Sequence, residues 1–312
     1  MMNNDKYIMD KLAAGMDNWV WNVLSENKCY IAGGAITSIC SNQPVNDIDI
    51  YLPNKEALFE VIETFNDNSV WCCFVSEKSL TYTTSEATYQ LIYIDYYEKA
   101  EDIFSSFDYT INMGACDVYE ESMTYHDNFW MHMSQRYLHF NPDTLYPIIS
   151  LLRLYKYSER GYTYTKSTVV KLAMTISNLD ITTWESFKNH VGNLYKCNHI
   201  TKERTKDVEY SLEEAMKVLD EVNFDETSSV DHYEHDPRIV GYIISQKEVE
   251  AYKDVNGKWV LLNEMDHINP DALDFVIDNG ILNLKEVPPP KDAKISRKPR
   301  SGDRRDIFNI PW

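Results

Sequence analysis

The chain contains no long apolar segment. Among its 312 residues there is no run of about 18 apolar residues, the length that a helix needs to cross a bilayer. The first six residues, Met1-Met-Asn-Asn-Asp-Lys6, also lack the basic stretch followed by an apolar stretch that is typical of a secretory signal. We therefore expect a cytoplasmic protein that has no membrane partner.

Basic residues are scarce. The chain has 30 Lys and Arg residues against 49 Asp and Glu residues, which gives a formal net charge of −19. Proteins that grip long RNA or DNA concentrate positive charge on their surface, so this balance disfavours extended nucleic-acid binding. From Lys285 onward the sign reverses, with eight basic residues against four acidic ones, and the C-terminal end is therefore a separate electrostatic segment.

The six cysteines show no Cys-x-x-Cys spacing, and most of them lie in apolar strand or helix patterns. This placement predicts reduced core residues of a cytosolic protein, with neither zinc nor disulfides. The histidines are likewise scattered without metal-ligand spacing, and we interpret them as surface or core residues.

Hydrophobic periodicity predicts an α/β fold with a small mixed sheet, followed by a helical domain and a hairpin. Helical spacing of apolar residues over 5–24 predicts one opening helix. A short helix is expected over 35–40, and a longer one over 55–65. Strands are expected over 29–34, 47–52, 70–75, 80–83 and 89–94, and further helices near 143–160, 166–178, 183–196, 205–221 and 270–278.

Four parts of the chain follow from these patterns. Asn256-Gly257 is a strong two-residue turn signal and predicts the hairpin. Pro288-Pro-Pro290 begins a Lys/Arg/Pro-rich arm that ends in Phe308-Asn-Ile-Pro-Trp312, a sequence suited to docking on a protein partner. The predicted parts are an α/β domain over 1–140, a helical neck over 141–224, a linker and hairpin over 225–284, and an extended basic arm over 285–312.

The most informative motif is a pair of carboxylates, Asp47 and Asp49, that follows the glycines Gly33 and Gly34 by a short, helix-sized gap. A strand has a period of two, so both carboxylates project from one face, roughly 7 Å apart. Two such charges repel each other unless a cation lies between them, and hard oxygen ligands suit Mg²⁺. Alone, an Asp-x-Asp pair is more often a solvated strand end than a metal site.

Two further clusters carry polar groups. Asp108 and Asn112 lie in the otherwise apolar run Phe107-Asp-Tyr-Thr-Ile-Asn112, where polar groups must be paired or functional. They could form a helix cap and a core hydrogen bond, or recognise a sugar and a base edge. Arg153, Lys156 and Arg160 share one face of a predicted helix, which suits a triphosphate clamp or an ordinary solvated face.

In this order, the motifs resemble the head and neck of CCA-adding enzymes and poly(A) polymerases, which belong to the DNA polymerase β nucleotidyltransferase superfamily. More closely, Ile31-Ala-Gly-Gly-Ala-Ile-Thr-Ser38 with Asn46-Asp-Ile-Asp-Ile-Tyr51 is similar to small nucleotidyltransferase-like proteins of phages and bacteria. The resemblance covers about residues 28–175. It implies a protein of the bacterial host cytoplasm or one associated with the virion.

The resemblance also implies site residues. Asp47 and Asp49 would bind Mg²⁺, and Asp95, in the triplet Ile94-Asp95-Tyr96, would be a third catalytic carboxylate. The implied nucleotide-binding residues are the turn glycines Gly33 and Gly34, the sugar-side residues Asp108 and Asn112, and the neck residues Arg153, Lys156 and Arg160.

The implied reaction is Mg²⁺-dependent transfer of a nucleoside monophosphate from an NTP, such as ATP, to an acceptor hydroxyl on an RNA 3′ end or a protein. Charged residues expected after the glycine turn are replaced by Ala35, Ile36 and Thr37, and no template motif for CTP or ATP is present, so tRNA CCA addition is not expected. Two alternatives remain: a catalytically degenerate fold used as a phage structural or partner-binding protein, and an antitoxin-like enzyme that modifies a partner protein.

Overall fold

The structure, a computed structural model, describes residues 3–70, 72–75, 79–191, 208–220, 249–253, 259–261 and 284–288. The chain divides into two compact units, Met1–Ser245 and Gln246–Trp312. The predicted boundaries at 140, 224 and 284 stay predictions.

The first unit is built on a mixed sheet of seven strands, which confirms the predicted α/β class. The strands lie in the order β3-β4-β5-β2-β1-β6-β7. Their bounds are β1 Tyr30–Ala32, β2 Ile48–Tyr51, β3 Cys72–Val75, β4 Ser79–Thr83, β5 Thr88–Ile92, β6 Gly114–Asp117 and β7 Ser122–Tyr125. The predicted strands within 29–94 are all present.

The pairing of β2 decides which side chains meet. β2 is antiparallel to β1 but parallel to β5, with Asp49 opposite Gln90. In β5, Tyr89 and Leu91 are buried, whereas Gln90 is only partly buried. Since residues paired in register share a face, Asp49 and Gln90 project from the same side of the sheet.

Different groups of side chains pack against the two faces of the sheet. On one side, the ring of Phe65 packs against the strand residues Tyr82 and Tyr89 and against Trp19, in edge-to-face or tilted contacts. On the side that carries Asp49, a buried cluster joins Tyr30 and Tyr51 to Phe104 and Phe107. The cluster leaves the Asp49 end of this face partly exposed.

The opening segment forms two helices, so the prediction of a single helix over 5–24 was wrong. α1 spans Asn3–Ala14 and α2 spans Asn18–Glu26. Between them, Asp17 is extended, its N–H donates to the Tyr89 hydroxyl at 3.0 Å, and its carboxylate accepts from Tyr89 and Thr84 at 2.8 and 2.7 Å. These long-range bonds keep Asp17 extended and so separate α1 from α2, although the helical spacing of apolar residues continues across the break.

The next two helices occur where the sequence predicts them. α3 spans Gly34–Cys40 and α4 spans Lys55–Asp67. Asn54 caps α4, because its side-chain oxygen accepts from the Ala57 N–H at 2.8 Å. The apolar face of α4 is buried through Leu58, Val61 and Phe65.

The segment over 100–135 contains elements that the sequence analysis did not predict. Two 3-10 helices span Ala100–Ser106 and Thr110–Asn112, strands β6 and β7 follow, and α5 spans Phe129–Gln135. β6 extends the sheet beyond β1 by antiparallel pairing. The short 3-10 helices lack the repeated apolar spacing that identifies a longer helix.

Helices follow after residue 141, as predicted. They are α6 Pro147–Glu159, α7 Lys166–Ser177, α8 Trp184–Val191 and α9 Leu212–Asp220. Pro147 is the first residue of α6, a position where its missing N–H costs nothing. Within the described part of the chain, no helix has the length and apolar composition needed to cross a bilayer.

In the second unit, β8 (Val249–Lys253) pairs with β9 (Trp259–Leu261) in the predicted antiparallel arrangement. β10 (Leu284–Glu286) pairs with β8 in parallel, which the sequence did not predict. The predicted helix near 270–278, the Asn256-Gly257 turn and the arm beyond residue 288 lie outside the described residues.

Candidate functional site

The two carboxylates of the motif lie together at the start of β2. Asp47 immediately precedes the strand, Asp49 is its second residue, and both are partly buried. Gln90 on β5 donates from Nε2 to Oδ2 of Asp47 at 3.0 Å. The pair therefore projects beside a neutral amide that fixes one of its carboxylates.

Both carboxylates ionise less readily than usual. Burial raises the pKa of Asp47, against the opposing charges of Arg153 and Lys156. Burial, followed by the charge of Asp47, raises the pKa of Asp49 to about 7, while Arg153 acts in the opposite direction. Removal from water and mutual repulsion thus make this pair a place where an added cation would be stabilised.

Gly33 brings the turn after β1 against the pair. It has a φ of +83°, and a Cβ atom at this position would lie 3.7 Å from Oδ2 of Asp49 and 3.1 Å from two ring carbons of Phe107. Only glycine adopts this backbone conformation without strain and leaves space for the Phe107 ring, whereas the distance to Asp49 is an ordinary van der Waals contact. Gly34 differs, because an added Cβ would meet nothing within 4 Å.

Helix α6 supplies the positive charges. Arg153 acts on both carboxylates and Lys156 acts on Asp47. Burial, then the charges of Arg160 and Arg153, lower the pKa of Lys156, whereas Asp47 raises it. Arg160 lies beyond the last residue of α6, and its charge acts on Lys156.

A buried relay of hydrogen bonds connects α6 to the sheet. Asp108 and Asn112 are each only 3% exposed. Arg153 Nη1 donates to Oδ2 of Asp108 at 3.3 Å, and Nδ2 of Asn112 donates to Oδ1 of Asp108 at 3.2 Å. Oδ1 of Asn112 accepts from the hydroxyl of Tyr157 at 2.9 Å and lies 3.1 Å from the hydroxyl oxygen of Thr37. These polar side chains are engaged within the protein; their predicted contact with a nucleotide stays a prediction.

The relay makes the Tyr157 hydroxyl a stability determinant. Tyr157→Phe removes one donor from the buried Oδ1 of Asn112, so we expect the free energy of unfolding to fall by about 1–2 kcal/mol. Urea denaturation measures the change. The control is Tyr119→Phe, which alters a half-exposed ring and is expected to change stability by less than about 0.5 kcal/mol. Equal losses of stability in the two variants would contradict a stabilising role for the hydrogen bond from Tyr157 to Asn112.

The predicted third carboxylate does not join this group. Asp95 is exposed beyond the end of β5, and its Oδ1 accepts from the N–H of Tyr96 at 2.8 Å. The charges that act on Asp47 and Asp49 do not include it. The residue that the sheet places beside the pair is Gln90, which sequence reasoning missed; the signal was a polar side chain at an alternating position of a predicted strand.

Three of the histidines, His126, His132 and His139, lie near one another. The rings of His132 and His139 stack with centroids 5.4 Å apart, and Nδ1 of His132 lies 2.6 Å from the Thr110 hydroxyl. His139 and His126 line a cavity of about 360 Å³, which none of the predicted site residues lines. Among the residues that the structure describes, no group of three or more His, Cys, Asp or Glu side chains could hold a metal ion.

Comparisons with known proteins give two kinds of similarity. Residues 4–136 match the model of the Gabija anti-defense 2 family protein. The protein Gabija anti-defense 2 of Bacillus phage SPbetaL7 is 34% identical over 218 residues, which are 70% of this chain and 54% of that protein. The chain therefore spans about half the length of this curated relative.

Solved structures of tRNA nucleotidyltransferases are similar in a more general way. A tRNA-processing enzyme in apo form I matches with a TM-score of 0.45 and 14% identity, over 70% of this chain and 62% of that one. A Thermotoga maritima CCA-adding enzyme complexed with tRNA matches with a TM-score of 0.43 and 11% identity, over 68% and 58%. Similarity at this level does not assign an activity to the chain.

Proposed function

We propose that the protein is a nucleotidyltransferase that moves a nucleoside monophosphate from an NTP to an acceptor hydroxyl and releases pyrophosphate. The observation that carries the proposal is the partly buried pair Asp47 and Asp49, whose ionisation is opposed by burial and by mutual repulsion. A cation beside such a pair would favour the ionised carboxylates, and functional sites are where perturbed carboxylates of this kind concentrate.

The donor set fits Mg²⁺. Two carboxylates supply hard oxygen ligands, and Mg²⁺ commonly takes only one or two carboxylates and completes its shell with water and substrate phosphates. Asp47 and Asp49 would hold the ion. When bound, it would neutralise charge that develops on the phosphates during transfer.

The remaining residues of the site would bind and orient the nucleotide. Arg153 and Lys156 face the pair from α6, and their charges suit the oxygens of a triphosphate. Gly33 leaves room for a close approach between the turn and the ligand. Gly34, Asp108, Asn112, Arg160 and Asp95 remain predicted contributors from the sequence resemblance.

The acceptor is a hydroxyl on an RNA 3′ end or on a protein. The name of the phage relative describes an activity against a bacterial defence, which supports a role inside the host cell and favours a protein acceptor or partner there. The net charge of −19 also disfavours a long nucleic acid. We keep the prediction that the basic arm over 285–312 docks on a protein partner.

A second candidate function is a phage binding module that retains the fold without catalysis. The residues after the glycine turn favour it, because Ala35, Ile36 and Thr37 are buried and offer no charged group to a phosphate. Thr37 instead donates to the carbonyl of Ile111 at 2.7 Å.

Ligand-induced stabilisation separates the two functions. We expect MgATP or another MgNTP at 100 times its Kd to stabilise the wild type by about 2.7 kcal/mol, seen as a rise in melting temperature. Asp47→Ala should remove this rise because one of the two metal ligands is lost. The absence of a response to all four NTPs, with the protein folded, would reject the enzyme and favour the binding module.

A further inference from the structure

The amide of Gln90 is the neutral neighbour of the carboxylate pair. Parallel pairing of β2 and β5 sets Gln90 opposite Asp49, and the 3.0 Å hydrogen bond joins its Nε2 to Oδ2 of Asp47. Gln90 is therefore in register with Asp49 and hydrogen-bonded to Asp47.

This bond restricts the carboxylate that has the greater freedom. Asp49 lies inside β2, where its backbone is paired with Gln90 of β5, whereas Asp47 precedes the strand. A hydrogen bond from a side chain on a paired strand limits rotation of Asp47. Groups that orient a metal ligand in this way commonly affect metal affinity by about 10- to 100-fold.

The absence of charge on the Gln90 amide matters as much as its position. Asp47 and Asp49 together carry at most two negative charges, and Arg153 opposes both. A third carboxylate at this position would bring the charge needed to hold a divalent cation by protein ligands alone, because affinity rises with the number of charged ligands. The neutral amide of Gln90 does not supply that charge.

We propose that Gln90 is a positioning residue that orients Asp47 and, because it is uncharged, makes retention of the divalent cation depend on the phosphates of the nucleotide. The inference rests on the proposed function. It predicts a site that binds metal poorly alone and well together with an NTP, so that ion and substrate enter as one complex.

Two variants of the full chain test the two halves of the inference. Calorimetry with Mn²⁺ alone, used as a probe for the Mg²⁺ site, should show that Gln90→Glu binds at least about tenfold more tightly than the wild type. Gln90→Leu keeps the approximate volume but cannot donate, and it should bind MnATP about tenfold more weakly. Gln135→Glu makes the same charge change at an exposed position of α5 and should match the wild type.

The outcomes are distinguishable from those of the proposed function. Mn²⁺ affinity of Gln90→Glu equal to the wild type would overturn the inference, provided that circular dichroism shows the variants folded. Where the wild type binds MnATP, an equal MnATP affinity of Gln90→Leu would overturn it as well. If Gln90→Glu gains Mn²⁺ binding while the wild type binds no nucleotide with any metal, Gln90 does tune the pair but the nucleotidyltransferase proposal fails. A merely structural role for Gln90 would lower stability without a gain in metal affinity.

Discussion

Asp49→Asn is expected to abolish Mg²⁺-dependent NTP turnover and at the same time to stabilise the ligand-free protein. The loss of one of two metal ligands removes several kcal/mol of transition-state stabilisation, so turnover should fall by roughly a thousandfold or more. Release of pyrophosphate in the presence of each NTP measures it. The same substitution at the exposed Asp127 should leave turnover unchanged, and Asp95→Asn decides whether Asp95 contributes.

The stability effect follows from the sign of the pKa shift. The pKa of Asp49 is raised to about 7 in the folded protein, so the folded state favours the protonated carboxyl. The contribution of Asp49 to stability is therefore fully present at a pH below the ordinary pKa near 4. It is lost as the pH rises through the pKa of the folded protein. Asparagine resembles the protonated form at every pH.

Chemical denaturation at several pH values tests this expectation. At pH 8 and without metal, Asp49→Asn should be more stable than the wild type by about 2 kcal/mol, and the difference should shrink as the pH falls toward 4. A variant that is less stable than the wild type at pH 8 would show that the carboxylate is compensated in the folded protein.

Gly33→Ala is expected to cost both stability and nucleotide binding. The φ of +83° strains any other residue, and the new Cβ would lie 3.1 Å from the ring of Phe107, in the buried cluster beneath the site. We expect a loss of about 1–3 kcal/mol in the free energy of unfolding. Displacement of Phe107 should also move the adjacent Asp108 and weaken MgNTP binding.

The neighbouring glycine provides a matched control. Gly34 is the first residue of α3, and an added Cβ meets no atom within 4 Å. Gly34→Ala should be neutral or stabilise the protein by up to about 1 kcal/mol, because alanine loses less conformational entropy in a helix. Similar losses in the two variants would mean that the turn tolerates no side chain at all, rather than that Gly33 has a special conformation.

The sequence predicted those elements whose apolar pattern is complete within the element. β1, β2, β5 and α4 were recognised because alternation or helical spacing is sufficient to identify them. The break between α1 and α2 was missed because it depends on bonds from Asp17 to Tyr89 and Thr84, more than sixty residues away. No local pattern could reveal it.

The residues of the candidate site likewise divide into those that a local pattern identifies and those that depend on strand pairing. The Asp47 and Asp49 pair and the turn at Gly33 were recognisable, since their spacing along the chain fixes their relation in space. Gln90 was not, because its place beside Asp49 depends on which strands pair and in which register. Asp95 was favoured instead by its local triplet, although the structure leaves it exposed.

The order of strands in the sheet also bears on how the protein reaches its native state. β1 pairs with β2 after a short excursion of the chain, but its other partner, β6, begins some eighty residues later. Closing so long a loop is entropically slow. The candidate site also joins distant parts of the chain, because Arg153 of α6 acts on Asp47, about a hundred residues earlier. During refolding, affinity for any ligand should therefore appear after the local helices and hairpins have formed.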